Sequence, residues 1–285
     1  MVGRSKGIRR QSPPRPRPAR RGQRVLLALA AVAAGGWALS YAGLPGRSPQ
    51  GAAANVVQSL RVEVLRELHH DTSAYTQGLL WWDGSLYEST GRYGESRLRR
   101  LDPATGAVEQ QVAVPPAFFG EGLARAGNRL IMLTWMAERA LVYDLRSFDA
   151  VRTFRYRGEG WGLCHDGDRL VMSNGSDTLT FRDPESFEPV GAVRVTLRGR
   201  PRDQLNELEC VDGAVYANVW QEEFIVRIDP ANGRVTHQID AAGLLTRDEA
   251  RGVDVLNGIA YHPDDGTFYI TGKWWPKMFE VRFVE

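Results

Sequence analysis

The chain repeats itself. Five segments align on one pattern: QGLLWWDGSLYEST from Gln77, EGLARAGNRLIMLTW from Glu121, WGLCHDGDRLVMSNG from Trp161, NELECVDGAVYANVW from Asn206 and NGIAYHPDDGTFYITGK from Asn257. Their starts lie 44, 40, 45 and 51 residues apart. A period of this size marks an array of similar supersecondary units, each too small to bury its apolar face alone. Within a unit, short runs alternate apolar and polar residues between Gly, Asp and Asn, with almost no helical periodicity, which predicts antiparallel strands. Each unit reads as two strands joined by a Gly-containing turn. A third strand then closes on an Asp turn, at Asp102, Asp144, Asp183 or Asp229, which leads into a fourth.

Four strands in roughly 40–50 residues is the sequence form of a propeller blade. The last unit stops after MFEVRFV, its third strand, whereas SLRVEVLRE at Ser59–Glu67 alternates like a strand before the first unit. Pairing the two would cover two open edges. The expected fold is therefore all-β, a five-bladed β-propeller over residues 59–285 closed by pairing an N-terminal strand with the C-terminal blade. A β-sandwich plus a second domain is the alternative, and it leaves the five-fold register unexplained.

In such a fold the first strand of each blade is innermost, so its first residues form a ring at one mouth of the channel. That ring is Gln77, Glu121, Trp161, Asn206 and Asn257. Aligning the second strands on Leu86, Leu130, Leu170, Val215 and Phe268 yields another ring five residues later: Gly91, Trp135, Gly175, Trp220 and Lys273. A structural repeat carries similar residues at equivalent places, and here it does not. Taken singly, the tryptophans read as packing, Glu121 as a turn carboxylate, and Asn206 and Asn257 as turn formers. Three tryptophans in two adjacent rings instead point to a shared aromatic cavity, with the two glycines leaving room for a ligand. Lys273 stands out by composition, because the chain has 33 Arg and only three Lys (Lys6, Lys273 and Lys277). A compact ammonium where arginine is the rule favours a specific role.

The net charge of +2 hides a division. Residues 1–62 hold 11 Lys+Arg and no acid, leaving 25 basic against 34 acidic groups, about −9, for the rest. The basic region 1–24 is followed by an uncharged apolar stretch, 25–44, in the order of a secretory signal peptide or a membrane anchor. A Ser-x-Ala site ends at Ala42, so the segment is either cleaved or retained as a tether. Residues 45–58 read as a linker. The expected location is extracytoplasmic, secreted or tethered, with the N-terminal segment contacting the membrane and the body a monomer.

The acidic body argues against nucleic-acid binding. Five histidines, none in a zinc-ligand spacing, argue against a catalytic metal, and no phosphate-binding, dinucleotide or nucleophile-elbow motif appears, so no cofactor is expected. A metal-dependent propeller hydrolase would need several acidic ligands, and Glu121 is the only acid in the two rings. His69 and His70 read as a strand-end pair. Cys164 and Cys210 sit near the inner strands of consecutive units and read as buried thiols, although an exported protein permits a disulfide.

The strings YTQGLLW, YESTGRYGESRLRR, FFGEGLA, EGWGLCHDG, LNELECVDGAVYANVWQ, DVLNGIAY and TGKWWPKMFEV resemble the glutaminyl cyclase family of plant and bacterial type, the glutamine cyclotransferases. The resemblance spans Glu63 to Phe283. It implies a five-bladed propeller and an acyltransferase that converts N-terminal glutamine of peptides or proteins, or free glutamine, to pyroglutamate with release of ammonia. Matched residue by residue, the family's catalytic glutamate falls on Glu121, its pocket tryptophans on Trp135, Trp161 and Trp220, its asparagine on Asn206, its lysine on Lys273 and its glutamine on Gln77. Tyr75 stands where the family has Phe.

Glu121 is then expected to move the proton without a metal. Asn206 and Lys273 are expected to hold the carbonyl oxygen, and Gln77 and Asn257 to bind the substrate backbone. A propeller that binds a peptide terminus without chemistry is the alternative.

Overall fold

A computed structural model describes residues 56–285. The basic region, the apolar segment 25–44 and most of the linker lie outside the described residues, which contain no helix long and apolar enough to cross a membrane.

The described chain is all strand and turn. It opens with β1 (Gln58–His69). The first four-stranded sheet is β2 (Thr76–Trp82), β3 (Ser85–Thr90), β4 (Arg97–Leu101) and β5 (Val108–Ala113). The second is β6 (Gly120–Ala126), β7 (Arg129–Thr134), β8 (Arg139–Asp144) and β9 (Ala150–Arg155). The third is β10 (Leu163–His165), β11 (Leu170–Met172), β12 (Thr178–Arg182) and β13 (Pro189–Arg194). A small hairpin, β14 (Thr196–Leu197) and β15 (Arg200–Pro201), precedes β16 (Leu205–Val211), β17 (Ala214–Val219), β18 (Phe224–Asp229) and β19 (Arg234–Asp240). The chain ends with β20 (Leu256–His262), β21 (Thr267–Gly272) and β22 (Lys277–Val284). Strand β1 runs antiparallel to β22, from Arg61 opposite Val284 to His69 opposite Lys277. Its first residues also run parallel to β19, from Gln58 opposite His237 to Arg61 opposite Asp240. The two groups thereby become one sheet, a junction the repeat pattern does not foresee.

The first strands β2, β6, β10, β16 and β20 pack on one another in that order, and β20 packs on β2. The arrangement is propeller-like, and it explains why strands that alternate along the chain are buried on both faces. On β7, Leu130 and Met132 pack with Leu80, Tyr87 and Leu98 of the preceding sheet. Their neighbours Ile131 and Leu133 pack with Leu163, Leu170 and Met172 of the next. Period-two alternation sends successive side chains into two different cores. Even the Asp turns serve these cores: Phe148 and Phe187 take left-handed backbone (φ 62° and 64°) and bury their rings. The rings they contribute to the core offset a conformation that ordinarily costs about 1–3 kcal/mol.

Two side-chain expectations change. Cys164 on β10 and Cys210 on β16 are not free thiols but are joined in a disulfide, with Cα atoms 5.5 Å apart. Adjacent inner strands bring them into bonding range, a tertiary proximity that spacing alone does not reveal. His69 does end β1, but His70 is a buried hub. Its Nε2 lies 2.9 Å from Glu88, and its Nδ1 lies 2.8 Å from the Trp275 carbonyl. Burial pushes the His70 imidazolium down, but Glu88 outweighs it and holds the pKa above its ordinary value. Arg99 joins the cluster 3.5 Å from Glu88 and 3.1 Å from Asp71, fastening the end of β1 to β3 and β4.

The disulfide closes a separation of 46 residues. Loop-closure entropy then predicts a contribution of up to about 4 kcal/mol. Cys164→Ser with Cys210→Ser is expected to lower the melting temperature in the absence of reductant and to make it insensitive to added reductant. Equal melting of the oxidised wild type and the double variant would contradict the bond.

Candidate active site

Both rings sit at one end of the inner strands. Gln77, Glu121, Asn206 and Asn257 lie in β2, β6, β16 and β20, and Trp161 lies just ahead of β10. Trp135, Trp220 and Lys273 directly follow β7, β17 and β21. They converge on a cavity of about 280 Å³ lined by Tyr75, Gln77, Phe119, Glu121, Trp135, Trp161, Asn206, Trp220 and Lys273. Of the residues singled out from the sequence, Asn257 and the ring glycines Gly91 and Gly175 are outside this lining. Asn257 lies behind Gln77, donating from Nδ2 to the Thr76 carbonyl at 3.0 Å and to Gln77 Oε1 at 3.3 Å. That contact turns Gln77 Nε2 toward Glu121 Oε1, at 3.0 Å.

The walls are aromatic. Trp161 and Trp220 meet edge to face with centroids 5.9 Å apart, and Phe119 meets Trp135 in the same way at 5.7 Å. Trp220, at 36% exposure, marks the mouth, whereas Glu121 and Lys273 are buried. Burial pushes the Glu121 carboxyl well above the usual carboxylate range, with the Lys273 charge opposing and Glu159 adding to the rise. Burial likewise pushes the Lys273 ammonium down, with Glu121 and Asp254 opposing. Burial thus draws the acid up and the base down within one cavity, the direction that favours proton exchange by a side chain. Lys273 Nζ lies 4.8 Å from the Tyr75 ring centroid, a cation–π contact. The Tyr75 hydroxyl donates to Oδ2 of Asp254, a residue outside the cavity lining, at 2.9 Å. Among the described residues, no group of three or more His, Cys, Asp or Glu is arranged to hold a metal ion.

The two ring glycines do not leave room for a ligand; they make room for the walls. A Cβ on Gly91 would lie 2.3 Å from Phe119 Cε1, and one on Gly175 would lie 2.7 Å from Trp161 Cζ2. Phe119, Glu159 and Asp254 are absent from the residues picked by the two rings. The first two were legible: Tyr75, Phe119, Glu159, Gln204 and Val255 each stand two residues before a first-ring residue. All five lie just ahead of the inner strands, where the chain enters the ring. Asp254 has no such signal.

Gly91→Ala tests how tightly this wall is packed. It is expected to destabilise the protein by about 1–3 kcal/mol through overpacking against Phe119. Thermal unfolding checks this, and a variant that melts with the wild type would mean the ring has free space behind it.

Comparison with known proteins fits this geometry. The sequence model described as glutamine cyclotransferase matches residues 37–283. A glutaminyl-peptide cyclotransferase from Arabidopsis thaliana is 40% identical over 229 residues, which cover 79% of this chain and 72% of the relative. The crystal structure of Myxococcus xanthus glutaminyl cyclase is 41% identical, with a TM-score of 0.73, covering 80% of this chain and 99% of that one. With a family match over most of its length and a 40%-identical relative sharing it, the chain belongs to the glutamine cyclotransferase family.

Proposed function

We propose that the protein converts the N-terminal glutamine of peptides or proteins, or free glutamine, to pyroglutamate with release of ammonia. The observation that carries this reading is a buried acid and a buried lysine in one aromatic cavity of a size for a single side chain. In the reaction the neutral α-amine nitrogen bonds to the substrate's own side-chain carbonyl carbon, and the bond from that carbon to the amide nitrogen breaks. Both reacting groups belong to one residue, so the task is to hold it folded and to exclude water. Trp135, Trp161, Trp220 and Phe119 supply apolar walls for the folded conformer. Glu121 takes a proton from the attacking amine and returns it to the departing ammonia, a shuttle that a raised carboxyl pKa serves at neutral pH. Asn206 and Lys273 donate to the carbonyl oxygen as charge develops on it, an interaction for which each donor contributes about 3–4 kcal/mol. Gln77, oriented by Asn257, holds Glu121 and the substrate backbone. No step is assigned to a metal.

The fold reading that accompanies this proposal is a five-bladed β-propeller whose last blade is completed by β1. The antiparallel register of β1 on β22 and the packing of β20 on β2 support it. We also propose export, with residues 25–44 as signal or anchor. The Cys164–Cys210 bond supports this, because disulfides persist in oxidising compartments. One chain supplies the whole cavity, so the proposal is of a monomer.

Two outcomes test the chemistry. Glu121→Gln is expected to lower ammonia release from a peptide beginning with glutamine by roughly 10²–10⁴-fold while leaving binding of the peptide largely intact. Near-normal turnover would remove Glu121 from the step, and absence of ammonia release by the wild type would leave a binding protein. The pH dependence of kcat/KM is expected to be a narrow bell. Glu121 must lose its proton to act as base, and its pKa is raised, so the acid limb stands above the ordinary carboxylate range. Lys273 must keep its proton, and its pKa is lowered, so the alkaline limb stands below that of an ordinary lysine. The substrate amine must also be neutral, so an acid limb accounted for by the amine alone, or an alkaline limb at the ordinary lysine value, would contradict the buried pair.

A further inference from the structure

We infer that Glu159 is a positioning residue for the cyclisation, one carboxylate oxygen holding the indoles of Trp135 and Trp161 in place as a single wall of the cavity. The inference rests on the activity proposed above. Glu159 Oε2 accepts from Trp135 Nε1 at 2.8 Å and from Trp161 Nε1 at 2.9 Å. These two tryptophans belong to different sheets, one following β7 and the other preceding β10, so a single oxygen ties two sheets together at the cavity. Two charge-assisted bonds on one acceptor fix the rotation of both rings, which stacking alone leaves free to slide.

The backbone is bent to allow this. In the other repeats the residue of the second ring donates its N–H to the carbonyl two positions before the first ring: Gly91 to Tyr75, Trp135 to Phe119, Trp220 to Gln204 and Lys273 to Val255. The third repeat breaks the pattern. Gly175 donates to Leu205 instead, and Gly160 donates to the Trp135 carbonyl at 3.0 Å. Gly158 N–H, on the other side, is held by Glu138 Oε1 at 2.8 Å. Glu159 is thus pinned on both flanks, and of the five residues at its register position, Tyr75, Phe119, Glu159, Gln204 and Val255, it alone is an acid. Within the wall the side chain is half-buried, where a charge acts through less solvent than at the surface.

Its charge also faces Glu121. The charged and titratable groups around Glu121 are Lys273 after β21, Asp254 before β20, Tyr75 before β2, Tyr156 after β9 and Glu159 itself. Glu159 stabilises the protonated form of Glu121 and Lys273 the ionised form, so removing the Glu159 charge lowers the Glu121 pKa toward its ordinary value.

Two variants separate the clamp from the charge. Glu159→Gln keeps an acceptor oxygen of the same reach without its charge, so kcat/KM at its optimum is expected to fall less than in the alanine variant, with the melting temperature between those of the wild type and Glu159→Ala. The acid limb of the pH profile moves to lower pH, and the substrate amine, titrating identically in both proteins, contributes nothing to that difference. Glu159→Ala removes the clamp, and kcat/KM for a glutaminyl peptide is expected to fall roughly 10- to 100-fold through misplaced walls. Indole N–H resonances of ¹⁵N-tryptophan-labelled protein report the clamp without any activity: two of them move in Glu159→Ala, and by less in Glu159→Gln. Unmoved indole resonances in the alanine variant, or an unmoved acid limb in the glutamine variant, overturn the inference. If the wild type releases no ammonia, the proposed activity fails instead, and the resonances alone decide the clamp.

Discussion

The cavity depends on how closely the five inner strands approach, and one side chain governs that approach. Glu207 follows Asn206 on β16, at the position where the other four repeats have Gly78, Gly122, Gly162 and Gly258. Its Oε1 accepts from the Leu79 N–H at 3.3 Å and its Oε2 from the Ile259 N–H at 2.9 Å, so one carboxyl spans from β16 to β2 and β20. The neighbouring glycines work by having no side chain: a Cβ on Gly162 would lie 2.0 Å from the Asn206 carbonyl oxygen. Gly78, Gly122 and Gly162 let backbones touch, Gly258 is needed for its positive φ of 118°, and the fifth position fills what remains with a hydrogen-bonded acid. Buried backbone N–H groups without partners would each cost about 1–3 kcal/mol. Only with that centre settled do residues from different sheets, such as Gln77 and Glu121, come within hydrogen-bonding distance.

The same closeness creates the chemistry. A carboxyl and an ammonium at the surface would both be charged and solvated, and neither would exchange a proton readily near neutrality. Carried into the mouth of the strand ring and walled by indoles, both lose hydration, and each is drawn toward its neutral form. The aromatic residues therefore do more than shape a binding site. By excluding water they shift the proton affinity of Glu121, and by being rigid and large they do so with few side chains.

Most of this was legible because the fold is a repeat. Register turned a linear sequence into rings, and the rings placed Gln77, Glu121, Trp135, Trp161, Asn206, Trp220 and Lys273 together before any coordinates. Pairs that depend on distance across the ring were not legible. Spacing alone left the two cysteines as thiols, because nothing along a strand says which residue of the next inner strand it faces. The glycines were misread for a related reason: a small residue in a ring signals a near neighbour, and whether that neighbour is ligand or protein depends on rings one layer out. The layer was present in the sequence at Tyr75, Phe119 and Glu159, two residues ahead of the first ring at the entry to the inner strands. Asp254, which receives the Tyr75 hydroxyl, comes from the long segment before β20, where the repeat offers no template.

Glu121 and Glu207 show why burial alone does not define a catalytic acid. Both are buried carboxyls at the inner ends of blade-like sheets, and burial pushes both well above the usual carboxylate range. They differ in what they touch. Both Glu207 oxygens are fixed by backbone N–H groups, which cannot turn away, and Glu209 adds a like charge nearby; its proton has nowhere to go. Glu121 has one oxygen on the side chain of Gln77 and faces the cavity, with Lys273 to compensate its charge when the proton leaves. A raised pKa becomes useful where one oxygen is open to a substrate and a counter-charge stands ready. Of the described carboxyls raised by burial, Glu121, Glu207 and Glu209, the one that lines the cavity beside Lys273 is Glu121, to which the proposed reaction gives the proton shuttle.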